Sequence, residues 1–323
     1  MRMRMRCRWQ GVRGRGGRVA TTRAKRVEVS TQGEVSRSLQ DIEAVIFDCD
    51  GVIWRGMTAI AGAAEAIRGL ERKGKRVMYL TNNSTKSREQ CAAKLGHFDV
   101  KADKSQVICS SSSAARYLDS IGFDRESLKV LVVGQEGITI ELQEAGYEVV
   151  PCSEATPSSE AKCTIGEFEE ITIDEKVGAL VVGVDDSFSY SKLCVASLYL
   201  SQVEGCVFVA TNRDVGDRVG DDGRRIPGAG PVVAAVETAS GRKATNVGKG
   251  GSWLLPHLLE TMQLDAGKTC IVGDRIDTDI ALGKESGMLT ILPLTGVTDE
   301  ADLEACPEES YPDLVVESIA TLL

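Results

Sequence analysis

Short apolar runs alternate with segments of helical periodicity along most of the chain. Residues 44–47, Ala-Val-Ile-Phe, form an unbroken apolar run that predicts a buried strand. Residues 59–73 repeat apolar positions at helical spacing and stop at Gly74. Residues 76–80 predict a second strand, and residues 87–95 and 111–118 predict helices. A fresh pattern then begins. It predicts strands over 130–133, 179–182 and 207–210, and helices over 135–145, 190–202 and 230–240. Residues 151–177 read as loop or edge structure, and the Gly-, Asp- and Arg-rich stretch 212–228 as a loop. The first pattern resumes with helices over 252–262 and 278–286 and strands over 269–272 and 289–292. Strand–helix alternation of this kind predicts an α/β protein. The expected architecture is a doubly wound parallel-sheet core, residues 39–126 and 244–323, with a second α/β domain, 127–243, inserted into it.

Charge changes the picture at one end. The net charge is −9, yet residues 1–26 are rich in Arg and hold no acid, the first being Glu28. Two readings are open: a basic arm for nucleic acid or lipid, or an organellar transit peptide. The Arg-rich, acid-free composition without an apolar secretory core favours the transit peptide. Residues 1–38 are therefore set aside as a transit or disordered segment. The acidic remainder makes a nucleic-acid partner unexpected, since phosphate backbones need a basic surface. No apolar run approaches the ~20 residues of a membrane span, so no membrane partner is expected. Ten Cys occur without a C-x-x-C pair, which speaks against zinc ribbons and redox motifs. Residues 108–116 superficially follow a cysteine-phosphatase loop, but the spacing is one residue too long and the preceding His is missing. The chain has two His, too few for a His-rich dinuclear centre.

Four polar clusters sit where strands should end: Asp48-Cys49-Asp50-Gly51, Thr81-Asn82-Asn83-Ser84, Gly248-Lys249-Gly250, and the run from Gly273 to Asp279. The carboxyl ends of strands in an open α/β sheet form the usual ligand crevice. Asp48, Asp50 and Asp274 gathered there would repel one another and resist ionisation. A hard divalent cation relieves that repulsion; Mg2+ prefers oxygen ligands and commonly shares a phosphate oxygen. The hydroxyl, amides and N–H groups of Thr81, Asn82 and Asn83 could form an anion cradle. Lys249 adds a positive charge for phosphate oxygens. Any one cluster alone reads as a turn, a cap or a flexible loop. All four in order, each after an apolar run, point to phosphoryl chemistry.

At these residues the chain resembles the haloacid dehalogenase superfamily phosphatases with a C2-type cap. More narrowly it is similar to the phosphoglycolate and 4-nitrophenyl phosphate phosphatases, which include the pyridoxal phosphate phosphatases. The resemblance spans residues 40–323 and is strongest in AVIFDCDGVIWRG, YLTNNSTKSRE, ATNRD, PGAGPVVAAVETASGRK and VGDRIDTDIALG. It implies that Asp48 is the nucleophile, forming an aspartyl phosphate. It implies that Asp50 protonates the leaving alkoxide and then activates water. Mg2+ would take the Asp48 and Asp274 carboxylates and the Asp50 backbone carbonyl, with Asp279 behind them. Thr81, Asn82 and Asn83 would contact the phosphate, Lys249 would position Asp48, and Asp277 has no assigned role. The inserted domain would close over the site and select the substrate. Its loop carries Asp217-Arg218 where many relatives have His, and Arg218 could pair bidentately with a substrate carboxylate. Arg213 is expected to pair with Asp214. Gly250 stands where relatives commonly carry Pro, which would leave Lys249 less firmly held. Cys49 reads as buried, or as a thiol whose oxidation blocks metal binding. The expected function is Mg2+-dependent hydrolysis of 2-phosphoglycolate in photorespiration, in the chloroplast stroma, with mitochondrion or cytoplasm as alternatives. Pyridoxal phosphate or broad 4-nitrophenyl phosphate hydrolysis is the second reading, and a catalytically silent phosphate-binding regulator the third. The expected partners are a small phosphomonoester and a second copy of the chain docked through the cap.

Overall fold

The computed structural model describes residues 27–157, 161–219 and 224–323. The segment 1–26, and with it the transit-peptide reading, lies outside the described residues. Two parallel sheets organise the rest. The first runs in the order Leu314–Val316, Leu289–Pro293, Thr269–Val272, Ala44–Phe47, Arg76–Thr81, Val107–Cys109. Ala44–Phe47 lies at its centre, in register with Thr269–Val272 on one side and with 76–79 on the other. All its side chains are buried, as a strand covered by helices on both faces requires. Phe47, Val52, Ile67, Leu70, Tyr79 and Leu95 pack on one face; Ile46, Met78, Leu80, Leu254 and Ile271 pack on the other.

The second sheet runs Thr245–Asn246, Val207–Ala210, Val177–Val182, Lys129–Val133, Glu148–Pro151, again all parallel. Helices Tyr190–Gln202 and Ala229–Ser240 cover one face with Val195, Tyr199, Val233 and Val236. The other face takes Ile138 and Leu142 together with Ala114, Ala115 and Leu118 of helix Ser110–Ser120. That helix leaves the edge strand of the first sheet and packs on the second, so it joins the two layers. Arg88, heading helix Arg88–His97, reinforces the junction: its Nε donates to Glu141 at 2.8 Å, and Glu141 is buried.

Several sequence expectations change here. Residues 27–38 are folded: helix Gln32–Ser38 starts with a reciprocal Thr31–Glu34 capping box, and Val35 is fully buried in the first core. One buried residue in a short polar segment leaves little periodicity to read. Thr245–Asn246, placed on the core side of the expected boundary at 243/244, hydrogen-bonds into the second sheet. The stretch read as a loop over 212–228 contains an antiparallel hairpin, Gly216–Val219 with Arg224–Pro227. Its arginines and glycine hide the strand pattern, and the strand Arg224–Pro227 buries no apolar face, being exposed throughout. The helix expected over 278–286 begins instead as a π-type turn, Ile276–Ile280, before the α-helical Ala281–Ser286.

Candidate active site

The carboxyl ends of both sheets face one cavity of about 530 Å³. From the first sheet come Asp48 and Asp50, the Thr81–Thr85 turn, and Asp274 with Arg275. From the second come Val184, Asn212, Asp214 and Lys249, each shortly after a strand, and the hairpin adds Ile226 and Pro227. A parallel sheet collects its strand-end loops on one edge. Placing two such edges opposite each other brings residues from across the sequence to one point.

Lys249 is the centre of the arrangement. Its Nζ lies 2.7 Å from Asp48 Oδ1 and 2.8 Å from Asp279 Oδ1, and its side chain is 3% exposed. Asp48, Asp274 and Asp279 are all buried, with carboxylate oxygens within 4.8 Å of one another. One ammonium thus faces three acids. Burial pushes the Asp48 carboxyl well above its ordinary range; Lys249 opposes this, and Asp279 and Asp274 add to it. Burial, then Asp279, raises Asp274 to about 7, against the Val297 N–H that donates to its Oδ2 at 2.6 Å. Burial works against the Lys249 charge, but Asp279 and Asp48 outweigh it and hold the ammonium protonated.

The donor set fits a divalent metal ion. Buried carboxylate oxygens in excess of their protein cation are what a hard ion needs. The backbone makes room beside Asp274 as well. Gly51, at φ +79°, and Gly296 both pass so close that a Cβ on either would collide with Asp274 Oδ2. Asp279, expected behind the ligands, stands within the acidic cluster itself. The Asp50 carboxylate lies elsewhere on the cavity wall, taking a hydrogen bond from Trp54 Nε1 at 2.6 Å.

The Thr81–Ser84 turn is ordered by its own side chains. Asn83 N–H donates to Thr81 Oγ1 at 3.1 Å, and Asn83 Oδ1 accepts from Thr85 N–H at 2.9 Å. Both residues line the cavity. Asn82, expected at the phosphate, lines the cavity too, and its side chain is already bonded within the protein. Its Nδ2 donates to Asp214 Oδ1 at 3.0 Å, its Oδ1 accepts from the Lys249 N–H at 2.8 Å, and its carbonyl accepts from Asn212 Nδ2 at 2.7 Å. The Asn82 side chain is therefore occupied in joining three loops. Ser110 Oγ also donates to that carbonyl, at 2.7 Å. The serines after Cys109 are buried and bond to backbone carbonyls, which accounts for their presence without any phosphate loop.

Two family models match the chain: haloacid dehalogenase-like hydrolase over residues 45–148 and HAD-like hydrolase over residues 246–322. The chain is 36% identical over 285 residues to phosphoglycolate phosphatase 1A, chloroplastic, of Arabidopsis thaliana, covering 88% of this chain and 77% of that one. The chain belongs to the haloacid dehalogenase-like hydrolases. It is also 37% identical over 322 residues to glycerol-3-phosphate phosphatase of Gallus gallus, covering 95% of this chain and 97% of the relative. Among solved structures, glycerol phosphate phosphatase from Mycobacterium tuberculosis in complex with magnesium superposes with a TM-score of 0.72 at 25% identity, over 91% of this chain and 78% of that one. This haloacid dehalogenase-like hydrolase is a phosphatase.

Several further details of this phosphatase bear on the sequence expectations. Gly250 has φ +83°, a conformation closed to proline, and nearby atoms come no nearer than 3.9 Å to a Cβ built there. The backbone conformation alone therefore calls for glycine. Contrary to the looser hold expected, Lys249 is fixed at both its N–H and its ammonium. Arg213 pairs with Glu237 at 2.5 Å, not with Asp214, because Asp214 turns inward to Asn82. Asp277 grips Arg275 through Nε at 3.1 Å and Nη2 at 2.9 Å, holding a cavity-lining guanidinium. Arg275 and Asp214 also line the cavity, which the sequence signals only by their place beside the 273–279 and 211–214 motifs. Arg218 belongs to the hairpin strand Gly216–Val219, in register with Arg225, but its side chain lies outside the described residues. Cys49 is buried, and burial, with Asp48 and Asp50 nearby, raises its thiol far above the ordinary range. That environment disfavours the reactive thiolate.

Proposed function

We propose that the chain hydrolyses 2-phosphoglycolate through an aspartyl phosphate, with Mg2+ as the ion held by Asp48, Asp274 and the Asp50 carbonyl. The observation that carries the reaction class is the buried Asp48–Lys249–Asp279 bridge within reach of Asp274. A bound Mg2+ would supply charge neutralisation of the phosphoryl oxygens. Lys249 holds Asp48 Oδ1 at 2.7 Å and opposes the burial that raises this carboxyl, so it favours the carboxylate needed for attack on phosphorus. Thr81 and Asn83 line the same space and offer donors to the phosphoryl oxygens. Asp50 gives a proton to the ester oxygen as the O–P bond breaks. It then takes one from the water that cleaves the Asp48–phosphorus linkage.

The substrate assignment is supported by the similarity to the chloroplastic phosphoglycolate phosphatase and by two guanidinium groups that line the cavity. Arg55 and Arg275 line the cavity, and the hairpin sequence carries Arg218, Arg224 and Arg225 alongside Asp217, Asp221 and Asp222. A guanidinium pairs bidentately with a carboxylate, which phosphoglycolate has and glycerol phosphate lacks. A chloroplast location is supported by the same relative and by the Arg-rich residues 1–26. The second reading, a broader phosphomonoesterase, is supported by the equal similarity to a glycerol-3-phosphate phosphatase. Steady-state turnover of 2-phosphoglycolate, glycerol 3-phosphate, pyridoxal phosphate and 4-nitrophenyl phosphate with Mg2+ decides between them. A kcat/KM for 2-phosphoglycolate no higher than for the others refutes the specific assignment. Asp48→Asn abolishes turnover of every ester if the nucleophile is correctly assigned; a phosphate-binding regulator would lose nothing.

A further inference from the structure

Asp50 is gripped through one oxygen. The loop from 49 to 54 closes on itself: Ile53 N–H donates to the Cys49 carbonyl at 2.8 Å, and Gly51 N–H to the Trp54 carbonyl at 2.7 Å. This turn folds the Trp54 indole back, so that Nε1–H donates to Asp50 Oδ1 at 2.6 Å. Lys94, on helix Arg88–His97, places Nζ 3.6 Å from the same Oδ1 and 4.2 Å above the Trp54 ring. Trp54 is itself immobilised, buried and stacked on Phe98 at a centroid distance of 5.0 Å. Asp50 lines the cavity, and its side chain is 49% exposed.

We propose that Trp54 and Lys94 are positioning residues that hold Asp50 through Oδ1 and so leave Oδ2 as the oxygen that meets the substrate. The proposal rests on the reading of Asp50 as the acid and base of a phosphatase. An oxygen facing an indole N–H and an ammonium remains an acceptor, because both neighbours can only donate. Oδ2, which neither neighbour holds, is therefore the oxygen free to exchange a proton with the substrate. In the first half of the reaction that proton passes from Oδ2 to the ester oxygen, while the O–P bond breaks and the Asp48–phosphorus bond forms. In the second half Oδ2 takes a proton from water, while the water oxygen bonds to phosphorus and the Asp48 linkage breaks. Asp50 ends as it began. The Lys94 ammonium also rests on the indole face, so the aromatic ring and the cation hold each other in place.

Leaving-group dependence tests this. A 4-nitrophenolate departs without a proton, whereas an alkoxide needs one. Because kcat/KM reports the steps through leaving-group departure, Trp54→Phe and Lys94→Met should each lower it about tenfold or more for an alkyl phosphate but under about twofold for 4-nitrophenyl phosphate, within the range a general acid contributes. Lys94→Arg, which keeps the charge over the ring, should restore most of the loss. If Trp54→Phe does not fold, the partly exposed Lys94 carries the comparison alone. Equal losses on both esters would mark a purely structural role and overturn the proposal, as would no loss on either. Wild-type protein that turns over neither ester with Mg2+ would remove the phosphatase reading, and this proposal with it.

Discussion

Replacing Lys249 with Met takes the one ammonium out of the acidic cluster while keeping most of the side-chain volume. Asp48, Asp274 and Asp279 then face one another with oxygens within 4.8 Å and no protein cation between them. Two unit charges at that distance repel by about 3.5 kcal/mol at an effective dielectric constant near 20. Breaking a buried ion pair from one side costs about 3–5 kcal/mol by comparison with similar cases. The variant should therefore lose about 3–5 kcal/mol of stability at pH 8 without metal, read by urea denaturation. The loss depends on pH in a defined sense. Asp48 and Asp274 already titrate above their ordinary value of 3.8 in the folded protein, and removing Lys249 raises them further. The folded state then holds protons that the unfolded state has released, so stability falls as pH rises above about 4. The gap to wild type should be narrow at pH 5 and wide at pH 8, and Mg2+ should close part of it. Turnover should fall about 10²–10³-fold, the usual cost of removing a preorganised charge from a reacting centre. A stability gap that is the same at pH 5 and pH 8 would refute the claim that Lys249 balances these acids.

Other outcomes follow from single contacts. Gly250→Pro should destabilise the fold by about 3 kcal/mol or more and lower turnover, since proline cannot reach φ +83°, whereas Gly250→Ala should cost only about 1–2 kcal/mol because the space is open. Denaturant titration separates the two. Gly51→Ala should displace the Asp274 carboxylate and weaken Mg2+ binding, measured by calorimetry; unchanged affinity would show that Asp274 is not a ligand. Glu237 is held low, to about 2, by Arg213, against burial and with help from the Ala244 N–H and Lys243. Its contribution is complete above the ordinary value of 4.5 and disappears as pH falls through about 2. Because Arg213 and Lys243 are substantially exposed, Glu237→Gln should cost about 1–2 kcal/mol at pH 7, with the difference shrinking at pH 3 in thermal melts.

Central strands were plain in the sequence because burial on both faces forces unbroken apolar runs: 207–210 and 269–272 are observed with the bounds their patterns give. Short strands such as Val107–Cys109 and Leu314–Val316 escaped, having too few residues to set a period. The site residues were legible because strand-end loops must carry the chemistry of a parallel α/β sheet, and their motifs are compact in sequence. Pairings across the two sheets were not. Asn82 to Asp214 and Arg88 to Glu141 join residues far apart in the chain, and neither end shows in its own segment that a partner exists. The conformation of Gly250 was hidden for another reason: glycine permits many backbone angles, so the letter alone does not tell which one is used.

The knot around Asn82 also bears on engineering. Asn82, through its side chain and carbonyl, fastens the sheet that carries Asp48, the 211–214 loop and the backbone of Lys249. Ile226 and Pro227, which line the same cavity from an exposed strand, take no part in this knot. A lid transplanted from another phosphatase would need its own Thr211–Asp214 equivalent to match Asn82. Otherwise the exchange would unseat the lysine and spoil the chemistry before any new selectivity could be measured.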